Sequence, residues 1–194
     1  MKNFRCLAAM LLVVCACAAC SNNDENEPET TTNTLTVDAS AYENWVYVDM
    51  KSGKTQTVSM TGTDDESKVT IDWQFAIHRY TDIKTNGGAA INTQLTNLNS
   101  VTTVPAGEYT EDVEGTILYQ FVMPPTDENY VSTHTNKTMV WTEGSAMDKT
   151  LKPTNHVFVL KCKDGTYAKL QFTDLTNAEN VKGHITFTYE YPVK

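Results

Sequence analysis

The sequence has almost no cysteine outside its N-terminus. Of its five cysteines, four lie in the first twenty residues, and only Cys162 lies beyond them. The part beyond Cys20 therefore cannot form an internal disulfide, and the 175 residues that follow residue 19 (194 minus 19) are enough to bury a core without one. Cys162 ends the largely apolar run VFVLKC (157–162), so we expect its thiol to lie in that core.

Catalytic and phosphate-binding motifs are also absent. The sequence contains no G-x-S-x-G, no H-E-x-x-H and no P-loop, and no C-x-x-C follows residue 20. Evidence for helices is thin, and no period of 20–50 residues recurs, which argues against a solenoid or propeller. We therefore expect a protein that is not an enzyme.

Basic residues are few. The chain has 15 Lys and Arg against 24 Asp and Glu, a net charge of −9. If Lys2 and Arg5 leave with an N-terminal signal, 13 basic residues face 24 acidic ones, and the net charge becomes −11. An acidic surface repels nucleic acid and anionic lipid headgroups, so nucleic acid is excluded as a partner. An anionic ligand would need local donors that overcome this field.

The first twenty residues have the pattern of a lipoprotein export signal. Lys2 and Arg5 precede an apolar stretch that is too short for a spanning helix, and small residues lead into Cys20. We expect residues 1–19 to be a signal peptide and Cys20 to be lipidated, which would anchor the protein to a membrane. Residues 20–33 are acidic and polar and predict a flexible tether. A plain secreted protein cut near the same place is the alternative.

The remainder predicts one all-β domain of many short antiparallel strands, residues 34–194. Apolar and polar residues alternate in 34–40 and most clearly in 69–80, where every second residue from Val69 to Ile77 is apolar. Further strands are predicted at 45–48, 57–60, 115–123, 138–141, 155–162, 167–173 and 184–191.

The connections carry their own signals. Lys163-Asp164-Gly165 between two predicted strands indicates a hairpin, and residues 176–180 are the best candidate for a single helical turn. The segments 81–114 and 124–154 have little periodicity and are richer in Gly, Asn, Thr and Pro, which is typical of binding loops or of disorder.

Two methionines and one histidine are candidates for a cofactor site. Met123 precedes two prolines at a predicted strand end, and Met147 lies in a polar segment, whereas the other methionines beyond the signal lie in β-like runs. A thioether is a soft ligand that suits haem iron or Cu(I), and core filling is the alternative role for both residues. His134, in a predicted loop, is the only histidine that we consider as an iron ligand.

Several stretches in order along the chain carry a resemblance to a known family. They are TVDASAYENW (36–45), DWQFAIHRY (72–80), TTVPAGEY (102–109), VFV (157–159), DGTYAKLQFTD (164–174) and KGHITFTYEYPVK (182–194). On these stretches the chain resembles the HmuY family of haem-binding, haemophore-like lipoproteins. The resemblance implies an all-β, hand-shaped domain in which two loop-bearing projections grip the ligand.

The resemblance also implies a cofactor and partners. The cofactor would be haem b, captured at the cell surface with host haemoproteins as a candidate source, and passed to a TonB-dependent outer-membrane receptor. The protein would then be a surface-exposed outer-membrane lipoprotein involved in iron acquisition, with release from the cell as a further fate. A non-haem binding or structural lipoprotein on the same scaffold is the alternative.

The resemblance further implies which residues would bind the haem iron. The founding member is known for a histidine pair and some relatives for two methionines, and this sequence fits the second subtype with Met123 and Met147, with His134 as the alternative ligand. The remaining candidates are those near these positions in sequence. For the haem propionates they are Lys137, Lys149 and Lys152, and for contacts with the porphyrin they are Tyr130 and Trp141, with core packing as the alternative role for Trp141.

Overall fold

The computed structural model describes residues 31–193, and this part of the chain is all-β, as predicted. Its strands are β1 (Thr31–Asp38), β2 (Asn44–Asp49), β3 (Lys54–Ser59), β4 (Phe75–His78), β5 (Asp82–Thr85), β6 (Ala89–Asn92), β7 (Thr110–Glu111), β8 (Val113–Leu118), β9 (Tyr130–Thr135), β10 (Thr142–Glu143), β11 (Lys152–Pro153), β12 (Val157–Lys161), β13 (Tyr167–Thr176) and β14 (Lys182–Val193). Helical structure within 31–193 is confined to single 3-10 turns at Glu66–Lys68, Leu98–Ser100 and Asp127–Asn129, and no helix there could cross a membrane.

Two antiparallel sheets pack face to face around the main core. The larger sheet has six strands in the order β1-β14-β13-β12-β6-β7, and the smaller has four in the order β3-β2-β4-β5. Phe75 of β4 meets Phe172 of β13 and Phe187 of β14 edge-on, with ring centroids 6.4 and 5.3 Å apart. Burial of these rings and their aliphatic neighbours is the main force that holds the two sheets together.

A third layer covers the other face of the smaller sheet. The β8–β9 hairpin contributes Ile117 and Val131 to a second core, which contains Trp45 and Tyr47 of β2. The central strands of the smaller sheet are therefore covered on both faces, which explains why all of β4 and nearly all of β2 are buried. This layering holds the β8–β9 hairpin, and the loop at its end, against the domain.

A buried charge lies at this second interface. The Lys84 side chain is 1% exposed, and its Nζ lies 2.7 Å from Asp64 and 2.8 Å from Glu66. The ammonium group also lies 4.4 Å from the centroid of the Trp45 ring. Two carboxylates and an aromatic face together offset the cost of taking this lysine out of water.

The expected strand at 69–80 is wrong for its first half, because only Phe75–His78 forms a strand. The amide of Trp73 donates to the carbonyl of Ile71, 3.0 Å away, so the chain turns before it enters β4. Trp73 consequently packs in the second core, whereas Phe75 and Ile77 pack in the main core. Apolar residues do alternate with polar ones in this segment, but they pack in two different cores instead of on one face of a single strand.

Other strand limits also differ from the expectation. β8 ends at Leu118, so 119–123 belongs to a loop, and 138–141 is not a strand even though Met139 and Trp141 are buried. The segments expected to be irregular contain β5 to β7 and β9 to β11. Those strands are short or edge elements, and their polar residues hide the alternation.

The two predictions for the connections between strands had different outcomes. The hairpin at 163–165 is confirmed, with Cys162 donating to the Thr166 carbonyl at 2.8 Å and Gly165 at a φ of 85°. Residues 177–181 form the β13–β14 connection rather than a helical turn. Cys162 is buried as expected, and burial raises its pKa to about 12.

The N-terminal predictions lie mostly outside the described residues. β1 begins at Thr31, three residues before the expected start of the domain. The signal peptide, the lipidated Cys20 and the greater part of the 20–33 tether precede residue 31.

Candidate functional site

Two connections expose the methionines that the sequence singled out. The first loop, residues 119–129, joins β8 to β9 and leaves Met123 78% exposed, and the second loop, residues 144–151, joins β10 to β11 and leaves Met147 93% exposed. The other methionines in residues 31–193 are buried, at 5% exposure or less: Met50, Met60 and Met139. Core filling therefore accounts for those three and not for Met123 or Met147.

The first loop is closed at its base by Asn129, which is buried. The carbonyl of Asn129 accepts hydrogen bonds from the amides of Tyr119 and Gln120, at 2.9 and 3.3 Å, and its side chain accepts from the Thr126 amide at 2.9 Å. The Met123–Pro124 peptide bond is cis. These contacts fix the ends of the loop, so that its apolar middle projects from the protein surface.

The second loop is a tight polar turn with Met147 near its tip. The amide of Thr150 donates to the Ser145 carbonyl at 3.0 Å, and the Ser145 amide donates to the Thr150 hydroxyl at 3.0 Å. Gly144 has a φ of 90°, and a Cβ there would lie 2.5 Å from the Thr150 carbonyl oxygen, so only glycine fits. At the base of the loop, Leu151 packs against the main core.

Exposed apolar side chains concentrate on these loops and beside them. Within residues 31–193 the large apolar side chains that stay exposed include six between residues 121 and 147, namely Phe121, Val122, Met123, Tyr130, Val140 and Met147. Single exposed apolar residues are ordinary, but a concentration of this kind marks a binding surface. The arrangement suits a flat, largely apolar ligand.

A compact aromatic and cationic cluster lies between the bases of the two loops. Phe121 of the first loop stacks on Tyr42 with ring centroids 5.3 Å apart, and the Arg79 guanidinium carbon lies 3.9 Å from the centroid of the same Tyr42 ring. On the other side, Arg79 donates to the Tyr80 hydroxyl at 3.3 Å, and Thr142 of β10 donates to the Tyr80 carbonyl at 3.4 Å. We call Tyr42, Arg79 and Tyr80 the bridging cluster.

The sequence did not assign a role to the bridging cluster. One signal was available, because Arg79 is the only arginine after Arg5. Nothing in the sequence pattern shows that Tyr42 comes to lie beneath it.

Of the two residues predicted to contact the porphyrin, one is exposed and the other is buried. Tyr130, at the end of the first loop, is 40% exposed and can contact a ligand held there. Trp141 is 1% exposed and stacks on Phe172 with centroids 4.8 Å apart. The ring packs inside the main core, which is the alternative role for Trp141 and argues against its contact with a porphyrin.

The lysines differ in what surrounds them. Lys137 and Lys149 are exposed, and Lys149 has a φ of 58° in the second loop. Lys152 is also exposed, but its Nζ lies 3.0 Å from Glu143 in the paired strand. Its charge is already balanced in part, so Lys152 is the weakest of the three as a binding group for an anion.

His134 lies within β9 and not in a loop as expected. It is four residues from Tyr130, which places it about 13 Å down the strand from the first loop. It lines open clefts together with carboxylates that include Asp64, Glu66 and Asp112, and burial raises the pKa of Asp112. An acidic neighbourhood away from the loop makes His134 a poorer candidate ligand than Met123.

The described residues also form clefts that the exposed methionines do not line. A cleft of about 590 Å³ is lined by residues that include Tyr109, Lys161 and Tyr167, and one of about 230 Å³ lies beside Lys137 and Val140. Neither of these clefts is lined by Met123 or Met147. No group of three or more His, Cys, Asp or Glu side chains in residues 31–193 could hold a metal ion.

A family model and a solved structure that are similar to the chain are both described as HmuY. Residues 41–189 match the family described as HmuY protein, and no curated protein sequence matches the chain. A solved apo HmuY analogue from Tannerella forsythia is 35% identical, with a TM-score of 0.78 over 88% of this chain and 100% of that one.

Two Bacteroides structures are also similar. A protein of Bacteroides vulgatus described as an HmuY-like haem-binding protein is 34% identical, with a TM-score of 0.74 over 84% of this chain and 93% of that one. A protein of Bacteroides fragilis described as a lipoprotein is 29% identical, with a TM-score of 0.74 over 84% of this chain and 90% of that one.

Proposed function

Since the chain belongs to the HmuY family, we propose that it is a haem-binding surface lipoprotein that holds haem b between its first and second loops. The observation that carries the proposal is the concentration of exposed apolar side chains on and beside these loops. A porphyrin is flat and apolar over most of its surface, so its burial would also cover this exposed protein surface. The similarity to a Bacteroides vulgatus protein described as haem-binding supports the same ligand.

Met123 and Met147 are the proposed axial ligands of the iron. Each is an exposed thioether on a loop whose base is fixed by hydrogen bonds. A fixed loop reduces the entropy that is lost when its side chain becomes a ligand. His134 is the alternative ligand, and the carboxylates beside it argue against it.

Two thioethers give the site a distinct chemistry. They are neutral, soft ligands, so relative to two imidazoles they favour ferrous iron and raise its reduction potential. They also do not titrate, so binding should survive mild acid that would protonate a histidine pair. Such a site suits the capture of haem under reducing conditions.

The cellular part of the proposal is delivery. The predicted export signal, with Cys20 as its predicted lipidation site, supports an outer-membrane lipoprotein, and a similar protein of Bacteroides fragilis is described as a lipoprotein. Haem taken from host haemoproteins would pass to a TonB-dependent outer-membrane receptor, and a released form could carry it in the same way. The role is that of a carrier and not of an enzyme.

Titration of the purified protein with haem, followed by absorbance with and without dithionite, tests this function. We expect saturable binding at one haem per chain, with a low-spin spectrum in the reduced state. An absence of saturable binding in both redox states would contradict the proposal and leave a non-haem binding or structural lipoprotein.

A further inference from the structure

Arg79 is held in place by its neighbours on several sides. It opens the connection between β4 and β5 with a φ of 52°, a left-handed conformation that costs a non-glycine residue energy. The preceding residue, His78, is 2% exposed and donates from Nε2 to the carbonyl of Tyr42 at 2.7 Å. This hydrogen bond ties the backbone of Tyr42 to the β4–β5 connection, so Tyr42 and Arg79 are positioned together.

The guanidinium group is fixed, but no residue between 31 and 193 neutralises its charge. Its carbon lies 3.9 and 4.8 Å from the ring centroids of Tyr42 and Tyr80, and one N–H donates to the Tyr80 hydroxyl. Its other N–H groups have no hydrogen-bond partner within residues 31–193, and no carboxylate in that range forms an ion pair with Arg79. A partly exposed arginine with free donors, held between two rings, is prepared to bind an anion.

The position of Arg79 relates this anion site to the loops. Tyr42 contacts Phe121 in the first loop, and Tyr80 contacts Thr142 at the base of the second. We propose that Arg79 is the main binding residue for a carboxylate of the ligand held between the loops, which, if the proposed function is right, is a haem propionate. The guanidinium would donate two parallel N–H bonds to the carboxylate while the tetrapyrrole ring lies against the exposed apolar side chains.

The lysines in the same region are less suited to this role. Lys152 already faces Glu143, and Lys137 and Lys149 are exposed side chains whose ordering costs conformational entropy. Arg79 has already lost part of this freedom through its two ring contacts. In a chain of strongly acidic net charge, one fixed cation has a large effect on where an anionic group binds.

The test compares iron protoporphyrin IX with its dimethyl ester, in which both carboxylates are masked. Both are titrated into the wild type, Arg79→Gln and Arg79→Lys, and into Lys161→Gln, which removes an exposed charge from β12 of the larger sheet. We expect Arg79→Gln to weaken binding of the free acid by about tenfold or more and to leave binding of the ester within about twofold. Arg79→Lys should recover only part of the loss, and Lys161→Gln should bind both like the wild type.

The outcomes separate this inference from the proposed function. If the wild type binds haem and Arg79→Gln binds the free acid equally well, the inference is overturned and the function stands. If the wild type binds neither porphyrin, the proposed function fails and the inference fails with it. Urea unfolding of each variant shows whether it is folded. If Arg79→Gln does not fold, the affinity of Arg79→Lys for the free acid decides between these outcomes, because this variant retains the charge and most of the side-chain stem.

Discussion

Replacement of Met147 or Met123 by alanine should leave the fold intact and weaken haem binding. Met147 is 93% exposed, so only about 7% of its surface is buried, and Met123 buries about 22%. Full burial of a methionine contributes about 1.5–3 kcal/mol. On this scale Met147→Ala should cost about 0.1–0.2 kcal/mol of unfolding free energy, and Met123→Ala about 0.3–0.7 kcal/mol.

Met139→Ala is the matched control, because the same change is made at a side chain that is 1% exposed in the main core. It should cost about 2–5 kcal/mol, since the substitution leaves a cavity as well as removing buried surface. Haem affinity should show the opposite order. Met139→Ala should bind haem normally while folded, whereas the two loop variants should lose at least the ~10–100-fold that supporting residues of metal sites usually contribute.

Urea unfolding followed by tryptophan fluorescence, together with haem titration, measures both quantities for each variant. The reasoning would be refuted if Met147→Ala unfolded more than about 1 kcal/mol more easily than the wild type, because that residue would then be part of the packed structure. It would also be refuted if both loop variants bound haem with wild-type affinity.

Three further predictions concern the scaffold. Trp141→Ala should cost about 3–5 kcal/mol in urea unfolding and leave haem affinity of the folded protein unchanged, because the ring packs in the main core; a loss of affinity without a loss of stability would contradict this. Lys84→Met should cost about 3–5 kcal/mol, because it leaves Asp64 buried without its partner, and Lys84→Met combined with Asp64→Leu should recover part of the loss. Hydrogen bonds from the Thr166 hydroxyl and amide lower the pKa of Asp164. The ionised Asp164 carboxylate therefore stabilises the folded state above its unfolded pKa of about 3.9, and this stabilisation is lost as pH falls through the folded pKa. Wild type should therefore lose more stability in acid than Asp164→Asn, and equal pH profiles would refute this.

The sequence predicted strands best where a long strand carries one clear pattern. β12 reads as a continuous apolar run, and the alternating residues of β14 match its buried and half-buried positions. The 69–80 region was misread because alternation also persists across the turn at Trp73, where the chain passes from the second core to the main core. No local pattern reveals that a third layer covers the smaller sheet.

The candidate site shows the same division between local and distant information. Met147 was identified because it lies in a polar segment, and this local signal is enough to predict an exposed side chain. The bridging cluster was missed because Tyr42 and Arg79 are 37 positions apart and meet only through the pairing of β2 with β4. Trp141 was considered as a porphyrin contact because it lies near the ligand candidates in sequence, and local sequence does not show that its ring packs on Phe172.

A crystal structure of the haem complex tests the central claim most directly. We predict one haem per chain between the first and second loops, with the Sδ atoms of Met123 and Met147 bonded to the iron from opposite faces of the porphyrin. A haem held by His134, or seated in the cleft beside Tyr109 and Tyr167 with both methionines still exposed to solvent, would contradict the account.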